Sequence, residues 1–222
     1  MIKLKDVIKE YKVNNAETIT ALKDINLDIK EGELVVLRGA SGSGKSTVLS
    51  LIAALSKPTS GEVEVDGEKI SKLADNFASE YRRHNIGFVF QKYNLIPNLS
   101  VKENIVLPLV PMNLAQNEID EKLGRVLEMF QIEHKAEQLV KNLSGGEQQR
   151  VAIARANINN PKIILADEPT ANLDEKLSLH FIEMLQELKA EGKTIIVATH
   201  DPLFFALSFA DREIELHHGS II

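Results

Sequence analysis

"GASGSGKS", residues 39–46, follows the apolar run "LVVL" (34–37) and leads into "TVLSLI" (47–52). A loose surface linker would account for the three glycines and three serines. It would not account for the lysine, nor for apolar segments on both sides. Gly39, Gly44, Lys45 and Ser46 match the pattern G-x-x-x-x-G-K-[ST] without a mismatch, between a predicted strand and a predicted helix, which is the setting that pattern requires. Glycines there let successive backbone N–H groups curl around phosphate oxygens. The helix start adds a partial positive charge. The stretch Gly39, Ala40, Ser41, Gly42, Ser43, Gly44, Lys45, Ser46 and Thr47 therefore reads as a phosphate cradle. Lys45 would reach the β- and γ-phosphates and the Ser46 hydroxyl would bind Mg²⁺.

The bulk composition sets the frame. At 222 residues, 44% hydrophobic and 26% charged, the chain reads as one soluble α/β domain with a continuous core. A net charge of −6 argues against general nucleic-acid binding, which needs a basic face. With no cysteine there is no disulfide framework, thiol nucleophile or thiolate metal site. The opening "MIKLKDVIKEYK" lacks the long apolar stretch of a secretory signal. The longest uncharged run, Asn104 to Asn117, is broken by Pro108 and Pro111 and falls short of the ~20 apolar residues of a spanning helix. The chain is not expected to cross a membrane by itself.

Patterning along the chain gives the fold class. "IKLKDV" alternates, and "ITALKDINLDI" alternates through Ile19, Ala21, Ile25, Leu27 and Ile29. "ELVVLRG" is short and almost continuously apolar, as in a strand buried on both faces. "KSTVLSLIAALS" reads as a helix ended by "KPTSG", and "EVEVDGEKI" as a hairpin about Asp66-Gly67. From about Lys92 to Ile158 the pattern is helical, as in "NEIDEKLGRVLEMF". "KIILAD", "EKLSLHFIEMLQELKAEG", "TIIVATH", a short helix and "REIEL" then restore strand–helix alternation. The expectation is a parallel, helix-covered α/β core (1–91 and 159–222) with a helical subdomain, 92–158, inserted between its halves.

A nucleotide site needs an acidic contribution, and "IILADE" supplies it at the end of an apolar strand. Asp167 is placed to hold the Mg²⁺ shell and Glu168 to polarise an attacking water. His200 ends "TIIVATH", before the helix start Asp201-Pro202, and Gln91 follows "IGFVF". In a parallel sheet such C-terminal strand ends line the ligand crevice, and Gln91 there can contact Mg²⁺ or water. Ser144, Gly145 and Gly146 precede an apolar-periodic helix (Val151, Ile153, Ala154, Ile158) and form either an ordinary helix cap or a second anion nest.

"LSGGEQQRVAIARA", Leu143 to Ala156, resembles the signature of ATP-binding cassette (ABC) ATPases, and with it the whole chain is similar to that family. The resemblance implies a P-loop NTPase (RecA-like) core with an antiparallel β subdomain and the inserted helical one. It makes Gln91 the Q-loop, "IILADEP" the Walker B strand, "NLD" (172–174) the D-loop and His200 the switch histidine. It places Tyr11 at the adenine-stacking A-loop position. Ser144, Gly145, Gly146 and Glu147 of one chain would cap the γ-phosphate on the other chain's glycine loop, so that two copies sandwich two ATP molecules head to tail. Asp174 would link the two sites. "IGFVFQKYNLIP" and "ADEPTANLD" resemble the group of lipoprotein-releasing and macrolide-export ATPases. The resemblance implies an ATPase subunit, peripheral on the cytoplasmic face of the cell (inner) membrane, driving a separate permease for export, lipoprotein release or mechanical work on the envelope. Ala40 stands where proline is common, without loss of a phosphate ligand. Tyr93, Leu95, Ile96 and Leu99 are either a permease-docking surface or internal packing. The competing class, a soluble ABC ATPase acting on nucleic acid or ribosomes, usually carries tandem cassettes or long insertions, which this sequence lacks.

Overall fold

The computed structural model describes residues 1–12, 18–171, 173–205 and 207–222. β1 (Ile2–Lys12) and β2 (Thr18–Ile29) pair antiparallel. The chain then runs through β3 (Leu34–Arg38), the glycine loop and α1 (Lys45–Ile52), and returns as β4 (Ser60–Val65) on the other edge of β1. α2 (Asp75–Asn85) leads into β5 (Ile86–Val89). The helical stretch follows as α3 (Val101–Val106), α4 (Gln116–Met129) and α5 (Gly145–Asn157). β6 (Ile163–Asp167), α6 (Glu175–Ala190), β7 (Thr194–Thr199), β8 (Arg212–His217) and β9 (Ser220–Ile221) complete the described elements.

Among the described residues the strands form two sheets, β2-β1-β4 and β5-β6-β7-β3-β8-β9. The larger is parallel from β5 to β8, with only β9 antiparallel. Its central strands send alternate side chains to two separate cores, because successive residues of a strand face opposite ways. Leu34 and Val36 of β3, Ile164 and Ala166 of β6, and Ile195 and Val197 of β7 meet α3–α6 on one side. Val35, Leu37, Ile163, Leu165, Ile196 and Ala198 meet α1 and the antiparallel sheet on the other. Covering both faces is why these strands read as unbroken apolar runs.

Four local expectations change. The alternation in β2 holds for Ile25, Leu27 and Ile29 but not before them. Asp24 has φ 53°, the pairing shifts between Val7↔Ile25 and Lys9↔Leu22, and this bulge puts Leu22 inside and leaves Ile19 53% exposed. α1 stops at Ile52, because Ala54 turns left-handed (φ 49°) and Leu55 N–H bonds back to Ser50 O. Asp66 and Gly67 (φ 51° and 81°) make the expected turn, but only the Val65↔Glu68 bridge follows it, and the chain moves into a 3₁₀ turn at Ile70–Lys72 instead of a second strand. α2 was not expected, since its sequence is mostly polar and buries only Ala78 and Tyr81.

Asn104, fully buried on α3, fastens the segment after β5. Its Oδ1 accepts from Ile96 N at 2.7 Å and its Nδ2 donates to Ile96 O and Ser100 O, each at 3.0 Å. Replacing it removes these bonds and leaves the part-buried Ile96 N–H without its side-chain acceptor, at about 1–3 kcal/mol. Asn104→Ala is expected to lower the urea midpoint by an amount corresponding to that cost with the m-value unchanged. An unshifted midpoint would show that the fastening carries no energy.

Candidate nucleotide site

The glycine loop is shaped from both sides. Gly39 (φ 151°) has no room for a side chain: a Cβ would stand 2.3 Å from Leu216 O and 2.7 Å from Ser43 Oγ. Gly44 (φ 108°) caps α1 and is closed in by Leu22 Cδ2 and Ala21 O, which a Cβ would meet at 2.7 and 2.8 Å. Ser43 N bonds to Ala40 O at 3.1 Å, and Gly219 N, at the β8–β9 turn, bonds to Ser43 O at 3.0 Å. Strands distant in sequence thus hold the loop.

Around it converge the strand-end residues that the sequence singles out. Lys45, 5% exposed, donates to Gly39 O (2.7 Å) and Ala40 O (3.2 Å) and pairs with Glu168 Oε1 at 3.2 Å. Ser46 Oγ donates to Asp167 Oδ1 at 2.9 Å. Glu168 sits just past β6 with a left-handed backbone (φ 44°), held by its N–H on Ala198 O at 2.7 Å. Its Oε2 accepts from His200 N and Thr199 Oγ1, both at 3.2 Å, and lies 2.9 Å from His200 Nδ1. That oxygen is an acceptor, so Nδ1 carries the shared proton and Nε2 is left for another partner.

The two acids are set apart by their surroundings. Burial pushes the Asp167 carboxyl up; the Ser46 hydroxyl and Lys45 pull it down, the Glu168 charge adds to the rise, and the balance is upward. Burial also raises Glu168, but the His200 hydrogen bond and the Lys45 ammonium outweigh it and hold that carboxyl below its ordinary value. A half-buried Asp167 beside a second carboxylate leaves negative charge that a cation would relieve. With the Ser46 hydroxyl it offers two hard oxygens of the kind Mg²⁺ takes, and phosphate and water can complete that ion's shell.

A cleft of about 310 Å³ opens here, lined by Ala21, residues 41–47, Gln91, Glu168 and His200. The exposed Gln91, just past β5, lines this cleft with the glycine loop. Tyr11 does not line this cleft. It lies near the end of β1, 41% exposed, opposite Ile19, two residues along β2 from the cleft's Ala21, with Lys9 Nζ 4.8 Å from its ring centre.

Ser144–Glu147 does not line the cleft either. Ser144 caps α5 in a reciprocal box. Its backbone N–H donates to Glu147 Oε2 at 2.8 Å and its hydroxyl to the same oxygen at 2.9 Å, which lowers the Glu147 carboxyl, helped by Lys135. Gly145 is open to solvent, and Gly146 packs on Leu177, whose Cδ2 an added Cβ would approach to 2.6 Å. Asp174 caps α6 by accepting Leu177 N at 2.9 Å, and is itself exposed. Asn172, which begins the "NLD" segment, lies outside the described residues.

The segment after Gln91 divides. Tyr93 is buried and Leu95 rests on the core, whereas Ile96 is 45% exposed. Arg155 of α5 fixes the turn by donating to Tyr93 O (2.5 Å) and Asn94 O (2.7 Å). Beside it runs a groove of about 400 Å³ lined in part by Phe88, Phe90, Pro108, Pro111 and Arg155. Neither this arginine clamp nor the Thr199 hydroxyl was anticipated. Each depends on side chains far apart in sequence, for which spacing carries no signal.

A two-sided α/β sheet with a glycine-loop lysine, an acidic strand end and a second serine–glycine helix cap is the architecture of an ABC ATPase, a P-loop NTPase. The family model described as ABC transporter matches residues 22–171, and the chain belongs to that family as an ATP-binding subunit. It is 48% identical to the uncharacterized ABC transporter ATP-binding protein MJ0796 of Methanocaldococcus jannaschii, over 100% of this chain and 95% of that protein. It is 45% identical to the uncharacterized ABC transporter ATP-binding protein YknY of Bacillus subtilis, over 100% and 95%. It is 41% identical to the macrolide export ATP-binding/permease protein MacB of Hyphomonas neptunium, over 100% of this chain and 34% of that longer protein. These matches put it in the lipoprotein-release and macrolide-export group. The dimeric post-hydrolysis structure of MJ0796, bound to ADP and Pi, superposes with a TM-score of 0.90 at 46% identity, over 100% of this chain and 96% of that one. No helix among the described residues is long and apolar enough to cross a membrane.

Gly39→Ala forces a Cβ onto Leu216 O in a conformation that costs about 1–3 kcal/mol before any overlap. Equilibrium denaturation should show at least that loss. Wild-type stability would mean that the loop is looser than its contacts imply.

Proposed function

We propose that this chain hydrolyses Mg²⁺-bound ATP in a head-to-tail pair of copies and passes the closing motion to a separate membrane permease. The observation that carries the proposal is the convergence of Lys45, Ser46, Asp167, Glu168 and His200 on one loop. The Ser144 cap, by contrast, lies outside that cleft. Backbone N–H groups of residues 41–46 wrap the phosphates, and Thr47 and the start of α1 complete the anion site. Lys45 exchanges Glu168 for phosphate oxygens, which frees that carboxylate to orient a water in line with the γ-phosphate. Its depressed proton affinity keeps it ionised and able to accept the water's hydrogen bond. His200 offers Nε2 to the γ-phosphate while Nδ1 stays on Glu168.

Ser46 and Asp167 would hold Mg²⁺, with Gln91 at the rim, and the ion when bound would supply neutralisation of the charge on the phosphate oxygens. Tyr11 stacks on adenine, worth about 0.5–1.5 kcal/mol beyond burial. Ser144, Gly145, Gly146 and Glu147 present a helix start to the γ-phosphate held by the other copy, and Asp174 meets that copy beside its glycine loop. The likeness to a dimeric cassette at a TM-score of 0.90 supports the paired arrangement. The groove beside Arg155 suits a permease segment, and with such a partner the chain would work at the cytoplasmic face of the membrane. Core 1–91 and 159–222 would then close against the partner while the helical unit 92–158 follows the permease.

Glu168→Gln is expected to bind ATP as wild type does and to lose phosphate release by about 100-fold or more. Near-normal release would remove Glu168 from its role. In that background, size-exclusion chromatography with Mg-ATP should show dimers, and Ser144→Arg should abolish them while single chains still bind nucleotide. Dimers that survive the arginine would refute the shared site.

A further inference from the structure

We infer that Thr199 is a positioning residue for this reaction, its hydroxyl fixing the carboxylate of Glu168 in its working orientation. The inference rests on the role given to Glu168 above. Thr199 ends β7 and is fully buried. Its Oγ1 donates to Glu168 Oε2 at 3.2 Å and accepts from Asp201 N at 3.0 Å. A hydroxyl has one proton, an ionised carboxylate only accepts, and a backbone N–H only donates. The proton of Thr199 is therefore committed to Glu168, and the rotor has a single satisfied setting.

Asp201 is itself tied back to the strand that carries Glu168. Thr170 Oγ1 donates to Asp201 Oδ2 at 2.8 Å, and Leu203 N to Asp201 Oδ1 at 3.0 Å. Thr170, 4% exposed, stands two residues past Glu168. The path from Glu168 through Pro169 and Thr170, across to Asp201 and back through Thr199 is thus a closed ring of covalent and hydrogen bonds. Such a ring explains how a glutamate keeps the left-handed backbone that an L-residue adopts only under constraint.

The other side-chain groups on this carboxylate are Lys45 and His200, and both are assigned to the phosphate. When Lys45 turns toward it, Thr199 and His200, through its Nδ1 and its backbone N–H, remain to hold Glu168. Thr199 is the one side-chain donor among the described contacts that need not divide itself between carboxylate and nucleotide.

The test compares the full chain with Thr199→Val, which keeps the branched shape and removes the hydroxyl, and with Thr199→Ser, which keeps the hydroxyl and removes a methyl. Steady-state hydrolysis of Mg-ATP should show kcat for the valine variant down about 10- to 100-fold, with KM within about twofold. Serine should restore kcat to within about threefold of wild type. Thr199→Ala makes the same comparison where the valine chain does not fold. Wild-type kcat without the hydroxyl, a loss carried by KM, or a serine variant as slow as valine would overturn the inference and leave Thr199 a packing residue. Glu168→Gln run in parallel separates the two layers. An active glutamine variant defeats the role of Glu168 itself. An inactive one beside an unimpaired valine variant defeats the positioning alone.

Discussion

A lysine ammonium almost removed from water, between two backbone carbonyls and a glutamate, is the constraint from which the rest of the molecule follows. An unpaired charge at that depth costs several kcal/mol, so each of its neighbours has to be delivered accurately. Lys45 comes from the first turn of α1, after β3 and the glycine loop, Glu168 from just past β6, and the histidine that shares Glu168 from just past β7. These strands are neighbours in parallel register, with Ala166 beside Val197 and Leu37 beside Ala198. A one-residue slip in either pairing would turn every side chain of the strand to the opposite face and separate the charges.

The same pleat that brings those ends together divides the interior into two cores. One joins the sheet to α1 and the antiparallel strands, so the glycine loop is braced by Leu22, Leu216 and the β8–β9 turn. The other joins it to α3–α6, where Gly146, next to the Ser144 cap, packs on Leu177 in the turn that Asp174 caps. Glycine loop and serine cap are both anion-seeking helix starts, carried on different faces of one sheet. A single copy cannot spend both on one triphosphate, which is why the shared-site arrangement is economical. Gln149, buried on α5, donates to Pro169 O just beyond Glu168, so the cap's helix is bonded directly to the chain that carries the acid.

Much of this was legible in the sequence, and the exceptions have physical causes. The loop at 39–46, the acidic end of "IILAD" and the unbroken "TIIVAT" each show their environment through local composition. The bulge at Asp24 was invisible, because a left-handed aspartate leaves the apolar residues in place and only shifts their phase. α2 was missed because tertiary contacts of Tyr81, whose hydroxyl bonds to Ile52 O, fasten a helix whose own sequence is polar. β9, two residues long, falls below any periodicity. The Thr170–Asp201–Thr199–Glu168 ring joins residues up to about thirty positions apart through side-chain bonds, and spacing does not encode it.

The most direct measurement of the central claim uses mixed pairs. A Lys45→Ala chain and a Ser144→Arg chain are each expected to be inactive alone, since a pair of the first lacks the lysine at both sites and the second does not pair with itself. Mixed, they form pairs in which one site combines an intact glycine loop from one chain with an intact serine cap from the other. Phosphate release should reappear on mixing, rise with the fraction of mixed pairs, and approach about half the wild-type rate per pair. Mixtures that stay as inactive as their components, at concentrations where mixed pairs are demonstrably present, would contradict a site built from two copies.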